Sequence, residues 1–250
     1  KASDPLVADR LRAGLLWAKV RLDGVPLPVY VAHSLGGGTS RWLDQRLATH
    51  EVALVLRVGG PLRWQMELHT QAGVTRGATA RFAVIQTLLR HSGPRHVIYV
   101  CAVGDPMPEE IPFRLLDLCA GGHRLEMMFH DYFPLSRDYT FRSETYPEWH
   151  ALWRPALDRA EQLTVFSDAS SRIVAGEHPD LAHKIRLSPH GPLGPVPRLS
   201  PAPLGQMVLA VPGDLNVQKG AAVVRALAAI FAQTQEARLV VLGEVAPDCP

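Results

Sequence analysis

The segment Val29 to Leu43 reads VYVAHSLGGGTSRWL, and its residue types support two different chemistries. Ala32-His33-Ser34-Leu35-Gly36 differs by one residue from the Gly-x-Ser-x-Gly elbow of α/β-hydrolases, in which a serine on a sharp strand-to-helix turn attacks esters. In that reading Ser34 is the nucleophile, with Asp168 and His190 available downstream as acid and base. Gly36, Gly37, Gly38 and Thr39 also form a glycine-rich loop ahead of a predicted helix. There the backbone N–H groups can meet a phosphate or a sugar, because a helix N-terminus combines unpaired donors with the positive end of the dipole. A second loop of this kind runs from Gly213 to Gly220, where Lys219 adds a cation. His130 and Asp131 follow an apolar run, Met127 to Phe129, and so stand at a strand end, as His33 does. The carboxyl ends of parallel strands are where open α/β sheets bind ligands.

The elements that must carry these residues follow from periodicity. Residues 5–22 place Leu11, Leu15, Ala18 and Leu22 at helical spacing among Arg10, Arg12, Lys19 and Arg21, a basic amphipathic helix. Pro28 to Ala32 is a short strand, and Thr39 or Ser40 is placed to cap a helix reaching about His50. EVALVLRVGG is a second strand, and LRWQMELH alternates Leu62, Trp64, Met66 and Leu68 with polar neighbours, the period of a half-buried strand. Helices are expected at about 79–91 and 109–119 and in EWHALWRPALDRA, where Pro155 marks a kink or a start. HVIYVCAVG, RLEMMF, QLTVFSDAS ending at Ser167, and IRLSPHG supply further strands. Strands alternating with helices imply a mostly parallel sheet covered on both faces.

Residues 189–203 hold six prolines and two glycines and read as a linker. Beyond it, GQMVLAVPG, a helix with Val223, Leu227, Ile230 and Phe231 on its apolar face, and ARLVVLGEV make one β-α-β unit. The expected organisation is a first domain over 1–188, a linker over 189–205 and the cut start of a second domain over 206–250.

The totals bound the partners. The 250 residues carry a formal charge of +2, too small a surplus to point to nucleic acid. Three cysteines, Cys101, Cys119 and Cys249, have neither metal-ligand spacing nor an even count for disulfides, which suggests reduced thiols in a cytoplasmic protein. No signal peptide is expected after Lys1, and the absence of an initiator Met suggests a fragment. The basic helix leaves peripheral contact with the inner face of a membrane open. The eleven histidines show no metal-binding pattern, so no metal is expected.

YVAHSLGGGTSRWL resembles the first strand and loop of family 4-type glycosyltransferases of the GT-B fold, through His33, Gly36, Gly37, Gly38, Thr39 and Arg41. MMFHDYFPLSRDYT is similar to their strand ending in His-Asp-Tyr, with a Ser-x-x-Tyr-Thr after it. ALWRPALDRAEQLTVFSDASSRIV, RLSPHG and VPGDLNVQKGAAVV resemble, in the family's order, a helix with a serine at the next strand end, the strand before the interdomain linker, and the Gly…Lys-Gly loop that opens the second domain. The likeness lies in order and spacing over residues 28–243 and is nearest to bacterial enzymes of polysaccharide and O-antigen assembly, including rhamnosyltransferase-like members.

The resemblance implies a GT-B architecture: a Rossmann-like parallel-sheet domain on the acceptor side, then a second, incomplete Rossmann-like domain that takes the nucleotide-sugar donor. It implies transfer of a sugar, with retention, to a glycan or lipid-linked acceptor. The nucleotide-sugar enters as substrate, with no cofactor. His130 would contact the donor sugar, and Asp131 would orient it or meet the acceptor. His33 falls on the acceptor side, while Gly213, Lys219 and Gly220 would hold the donor diphosphate. Two departures stand out: Asp214 follows Gly213 where many members have arginine, and the chain ends at Pro250, before the late part of the second domain where members place a Glu-x7-Glu stretch. A serine esterase using Ser34 and a noncatalytic glycan- or nucleotide-binding module are the competing readings. Only one helix precedes the Ser34 loop, whereas hydrolases form part of the oxyanion hole from upstream strands.

Overall fold

The computed structural model describes residues 27–60, 62–89, 92–137, 146–191, 207–213, 215, 220–233, 237–243 and 245. The basic helix expected at 5–22, the linker from 192 onward, Lys219 and Asp214 lie outside them. The chain divides into two compact units, residues 1–191 and 192–250.

The first unit is a Rossmann-like α/β domain built on one eight-stranded sheet. Its strands are β1 (Leu27–His33), β2 (Val52–Gly60), β3 (Arg63–Thr70), β4 (Gly73–Thr79), β5 (Arg95–Tyr99), β6 (Arg124–Phe129), β7 (Gln162–Val165) and β8 (Ile185–Leu187). The spatial order is β4-β3-β2-β1-β5-β6-β7-β8. β2, β1, β5, β6, β7 and β8 run parallel, while β3 and β4 add an antiparallel meander at one edge. The half-buried pattern of LRWQMELH is therefore that of an antiparallel strand: in β3, Trp64, Met66 and Leu68 face inward and their neighbours are partly exposed.

Apolar runs such as Val29–Ala32 are continuous because both sheet faces are covered. Val29 and Val31 join one core with Leu54, Leu56, Val97 and Tyr99, while Tyr30 and Ala32 join another with Ala53, Val55 and Ile98. On the second face lies α1 (Gly38–Leu47), which inserts Leu43 and Leu47. On the first lie α2 (Phe82–Leu89), α3 (Ile111–Leu118) and α4 (Tyr146–Arg159), contributing Ile85, Leu115, Trp149 and Trp153. α5 (Asp168–Glu177) follows β7.

Several local expectations shift. α1 begins at Gly38 with Gly37 as its N-cap, so neither Thr39 nor Ser40 caps it; Ser40 Oγ instead donates to Leu35 O at 2.8 Å. β7 stops at Val165 rather than Ser167, because Ser167 Oγ accepts from Ser170 N and caps α5. Pro155 lies inside α4, not at its start. An interior proline costs about 3 kcal/mol through its lost N–H and ring clash. Buried Trp149, Trp153, Ala156 and Leu157 offset that cost, and Lys184 Nζ donates to Asp158 O at the C-terminal end.

The second unit contains β9 (Met207–Pro212) and β10 (Ala237–Leu242), paired in parallel, and α6 (Ala221–Phe231) between them in sequence. Gly213 and Gly220 both adopt positive φ, 89° and 83°, conformations that glycine enters without steric cost. Gly220 is the N-cap of α6.

Candidate functional site

In the first unit the topology brings His33, Gly36–Gly38, His130 and Asp131 to one end of the sheet. From β1 the chain crosses to β2, runs through the meander and returns to β5 on the other side of β1. That reversal is a topological switch point, and it opens a crevice at the carboxyl ends of β1 and β5. His33 ends β1, Cys101 follows β5, His130 and Asp131 follow β6, Phe166 follows β7, and His190 stands shortly after β8. The loops after β1, β2 and β5 meet at Gly59. A Cβ on Gly59 would lie 2.9 Å from Gly104 O and 3.2 Å from Ser34 Oγ, and its φ is 88°. Only glycine fits there on both counts.

His130 sits in an aromatic cluster. Its ring stacks on Phe166 at 4.2 Å and lies 4.8 Å from Trp42 of α1, edge-on. Phe166 in turn stacks on His190 at 4.2 Å with an interplanar angle of 4°. His130 Nε2 and His33 Nδ1 are buried without hydrogen-bond partners among the described residues. Burial, with the nearby His190 and His33, pushes the His130 imidazole down to about 3. Burial lowers His33 as well, although Asp131 partly opposes the shift. Both rings are therefore uncharged at neutral pH, and each offers one ring nitrogen to a hydroxyl.

Asp131, next to His130, has two partners of its own. Oδ2 accepts from the Cys101 thiol at 2.7 Å, and Oδ1 accepts from Phe133 N at 2.9 Å, which closes the turn after β6. Burial raises the Asp131 carboxyl, and it raises the Cys101 thiol far beyond the usual range. The same turn is fixed from below, where Trp149 Nε1 donates to Phe133 O at 2.7 Å and Trp153 packs against Tyr99 and Phe133. Asp131 thus holds the loop that carries His130.

The two helices that start at this edge differ. Ser167 satisfies the first turn of α5, whereas α1 has no side-chain cap and begins on exposed Gly36, Gly37 and Gly38. Space for a Cβ is open at all three glycines, and Gly37 alone needs glycine for its φ of 102°. The first N–H groups of an α-helix have no intrahelical acceptor, so this end of α1 presents free donors.

The esterase reading fails on geometry. A nucleophile elbow holds its serine in a strained turn, yet Arg63 is the one non-glycine residue with positive φ among the described residues. Ser34 N simply extends the parallel ladder to Val58 O at 3.0 Å. Among the described residues Ser34 Oγ has no imidazole partner; His190 stacks on Phe166, and Asp168 begins α5.

Sequence reasoning passed over Cys101, Trp42 and Phe166, and it weighed His190 only as a hydrolase base. The strand-end rule that selected His130 would also have selected Cys101 and Phe166. Trp42 carried no signal, because its role depends on the crossing of α1 over the sheet. Of the second-unit residues, Gly213 N donates to Leu242 O at 3.1 Å and Gly220 opens α6, while Lys219 lies outside the described residues. Among the described residues no three His, Cys, Asp or Glu side chains converge as a metal ligand set, and no helix is long and apolar enough to cross a membrane.

No family model matches the chain, and no curated protein matches it. Among solved structures it is similar to the GtfA/B complex, at 15% identity and a TM-score of 0.41, over 73% of this chain and 35% of that chain. The chain thus spans about a third of that structure's chain length.

Proposed function

We propose that this chain belongs to a glycosyltransferase that moves a sugar from a nucleotide-sugar to a glycan or lipid-linked acceptor in polysaccharide assembly. The observation that carries the reading is the convergence at one switch-point edge of two neutral imidazoles, each with one ring nitrogen unpartnered among the described residues, and an uncapped glycine-rich helix start. Those are the residues through which the sequence resembles family 4-type glycosyltransferases.

Transfer builds positive charge on the sugar and negative charge on the departing diphosphate. Neutral His33 and His130 can bind sugar hydroxyls without opposing the developing positive charge, as imidazolium ions would. The stacked rings of Phe166 and His130 exclude water, which would otherwise compete as acceptor. Asp131, held by Cys101 and Phe133 N, keeps His130 in place. In this reading the second unit contributes the diphosphate site, with Gly220 at the start of α6 bringing backbone N–H groups close to the anion, Gly213 turning the chain beside it and Lys219 adding charge. Retention, GT-B pairing of two Rossmann-like domains with a linker over 189–205, and a cytoplasmic, membrane-peripheral location belong to the same proposal.

The test is release of nucleoside diphosphate from a panel of nucleotide-sugars in the presence of lipid-linked glycan acceptors. Acceptor-dependent release that falls sharply in His130→Gln is expected. Stoichiometric labelling of Ser34 by a fluorophosphonate, with no sugar transfer, would overturn the reading in favour of an esterase.

A further inference from the structure

A second polar cavity lies at the opposite, N-terminal edge of the large sheet. It has a volume of about 260 Å³, and its polar wall is made by Gln86, Ser92, Arg95, Asp117 and His123. Arg95 opens β5, and His123 stands immediately before β6, so the cavity is at the far ends of the strands that carry His130 and Cys101.

Arg95 differs from the arginines of this domain that pair with a carboxylate through Nε. The Nε–H groups of Arg57, Arg63, Arg114, Arg124 and Arg154 each donate to a carboxylate, at 2.7–3.3 Å. Arg63 shows the full arrangement, with Nε 2.9 Å from Asp105 Oδ1 and Nη2 3.1 Å from Oδ2. Arg95 donates from Nη1 to Leu89 O at 3.2 Å, which ties down the C-terminal end of α2. Its Nε is buried and has no partner among the described residues. Burial pulls its guanidinium below the usual arginine range. The opposing contribution comes from Cys119, whose thiol is itself pushed up to about 11 and so carries no charge at neutral pH.

The surroundings also favour negative charge. His123 Nδ1 accepts from Arg95 N at 3.1 Å, so the neutral ring carries its proton on Nε2 and is a donor there. A second cation, Arg159, donates from Nη2 to His123 O. Asp117, the one acidic wall residue, is bound to Arg114 at 3.2 Å. A half-buried cation without a counter-charge lacks electrostatic compensation, and a carboxylate or phosphate is the group that pairs with a guanidinium.

We propose that this cavity binds a small molecule through a carboxylate or phosphate group paired with the Arg95 guanidinium, with His123 as a second donor. The site is separate from the sugar-transfer site and does not depend on that assignment. The experiment follows the arginine Nε–H signals of the whole 250-residue chain by ¹H–¹⁵N correlation spectra. Sodium acetate is added in one arm and sodium phosphate in the other, at constant ionic strength held with chloride. The Arg95 signal is expected to move saturably in at least one arm, while those of Arg57 and Arg63 stay fixed; the arm that saturates identifies the anion class. Arg95→Gln should weaken binding at least about tenfold, read from the His123 ring signals. Because Arg95 also caps α2, Arg95→Lys serves as the second variant, since it keeps the charge and loses the planar edge, and the same loss is expected. Non-saturating shifts in both arms, or saturable binding that survives both substitutions, would overturn the proposal.

Discussion

Two corners of the same sheet edge treat their polar groups in opposite ways. At the β2–β3 turn, Arg63 donates to Asp105, Glu110 and Met107 O, and Glu110 also accepts from Arg114. Asp105 is buried and Arg63 nearly so, and the residue bears a φ of 65° that this network holds in place. At the ends of β1 and β6, His33 is buried and His130 half-buried, yet each keeps a buried ring nitrogen unmatched among the described residues. A matched buried network fixes backbone geometry, because breaking it strands a charge. An unmatched one costs stability in the free protein and keeps hydrogen-bonding capacity for a ligand. The first corner therefore bears on folding, and in the proposed function the second bears on binding.

The largest effect that would break this contrast is at Arg63. Arg63→Ala leaves Asp105 as an unpaired buried carboxylate and should destabilise the fold by about 3–5 kcal/mol, measured by urea unfolding. A loss under about 1 kcal/mol would mean that the network is ornamental. His130→Gln should behave in the opposite sense. We expect the rate of sugar transfer to fall roughly 100-fold, the scale of losing one positioned hydrogen bond in a transition state, with stability changed by less than about 1 kcal/mol. Equal losses of stability and activity would make His130 a packing residue.

Acid sharpens the comparison further. His130 is held down to about 3, and His178, buried where α5 ends and stacked on His150, to about 4. A histidine whose folded pKa lies below its unfolded value near 6.5 binds fewer protons when folded. Each such group therefore costs stability as pH falls below about 6.5, by up to about 1.4 kcal/mol per pH unit until the folded value is reached. Unfolding free energies between pH 7 and 5 should drop steeply, and His178→Gln and His130→Gln should each flatten the slope. A slope unchanged in both variants would contradict the burial of these rings. The smallest effect concerns thiols: Cys101 and Cys119 are buried with raised thiol pKa values, so neither should react with iodoacetamide in the native chain, as read by peptide mass. Ready alkylation of Cys101 would show that its bond to Asp131 is not maintained.

The sequence was most informative where a local rule maps directly onto a sheet. Apolar runs such as Val97–Val100 and the alternation Trp64, Met66, Leu68 gave the strands, and the strand-end rule led to His33 and His130. It was silent where chemistry depends on how distant elements meet. Cys101 and Asp131 are 30 residues apart and are joined only by the adjacency of β5 and β6, so the acceptor role of Asp131 had no local trace. The Gly-rich loop suggested hydroxyl caps at Thr39 or Ser40, but flexible glycine at 36–38 lets α1 start earlier, on Gly37. The strand GVTRGAT, which completes the meander as β4, carries two glycines and little apolar alternation, and pairing with β3 defines it.

The central claim is that the edge formed by His33, Trp42, His130 and Phe166 receives the sugar substrate. The most direct measurement is a titration of the chain, with histidine rings labelled in ¹³C and ¹⁵N, against a panel of nucleotide-sugars and lipid-linked glycan fragments. At least one member of the panel should move the His33 and His130 ring signals together and saturably, while those of His123 and His178 stay unchanged. Saturable binding that leaves both His33 and His130 unmoved would contradict it.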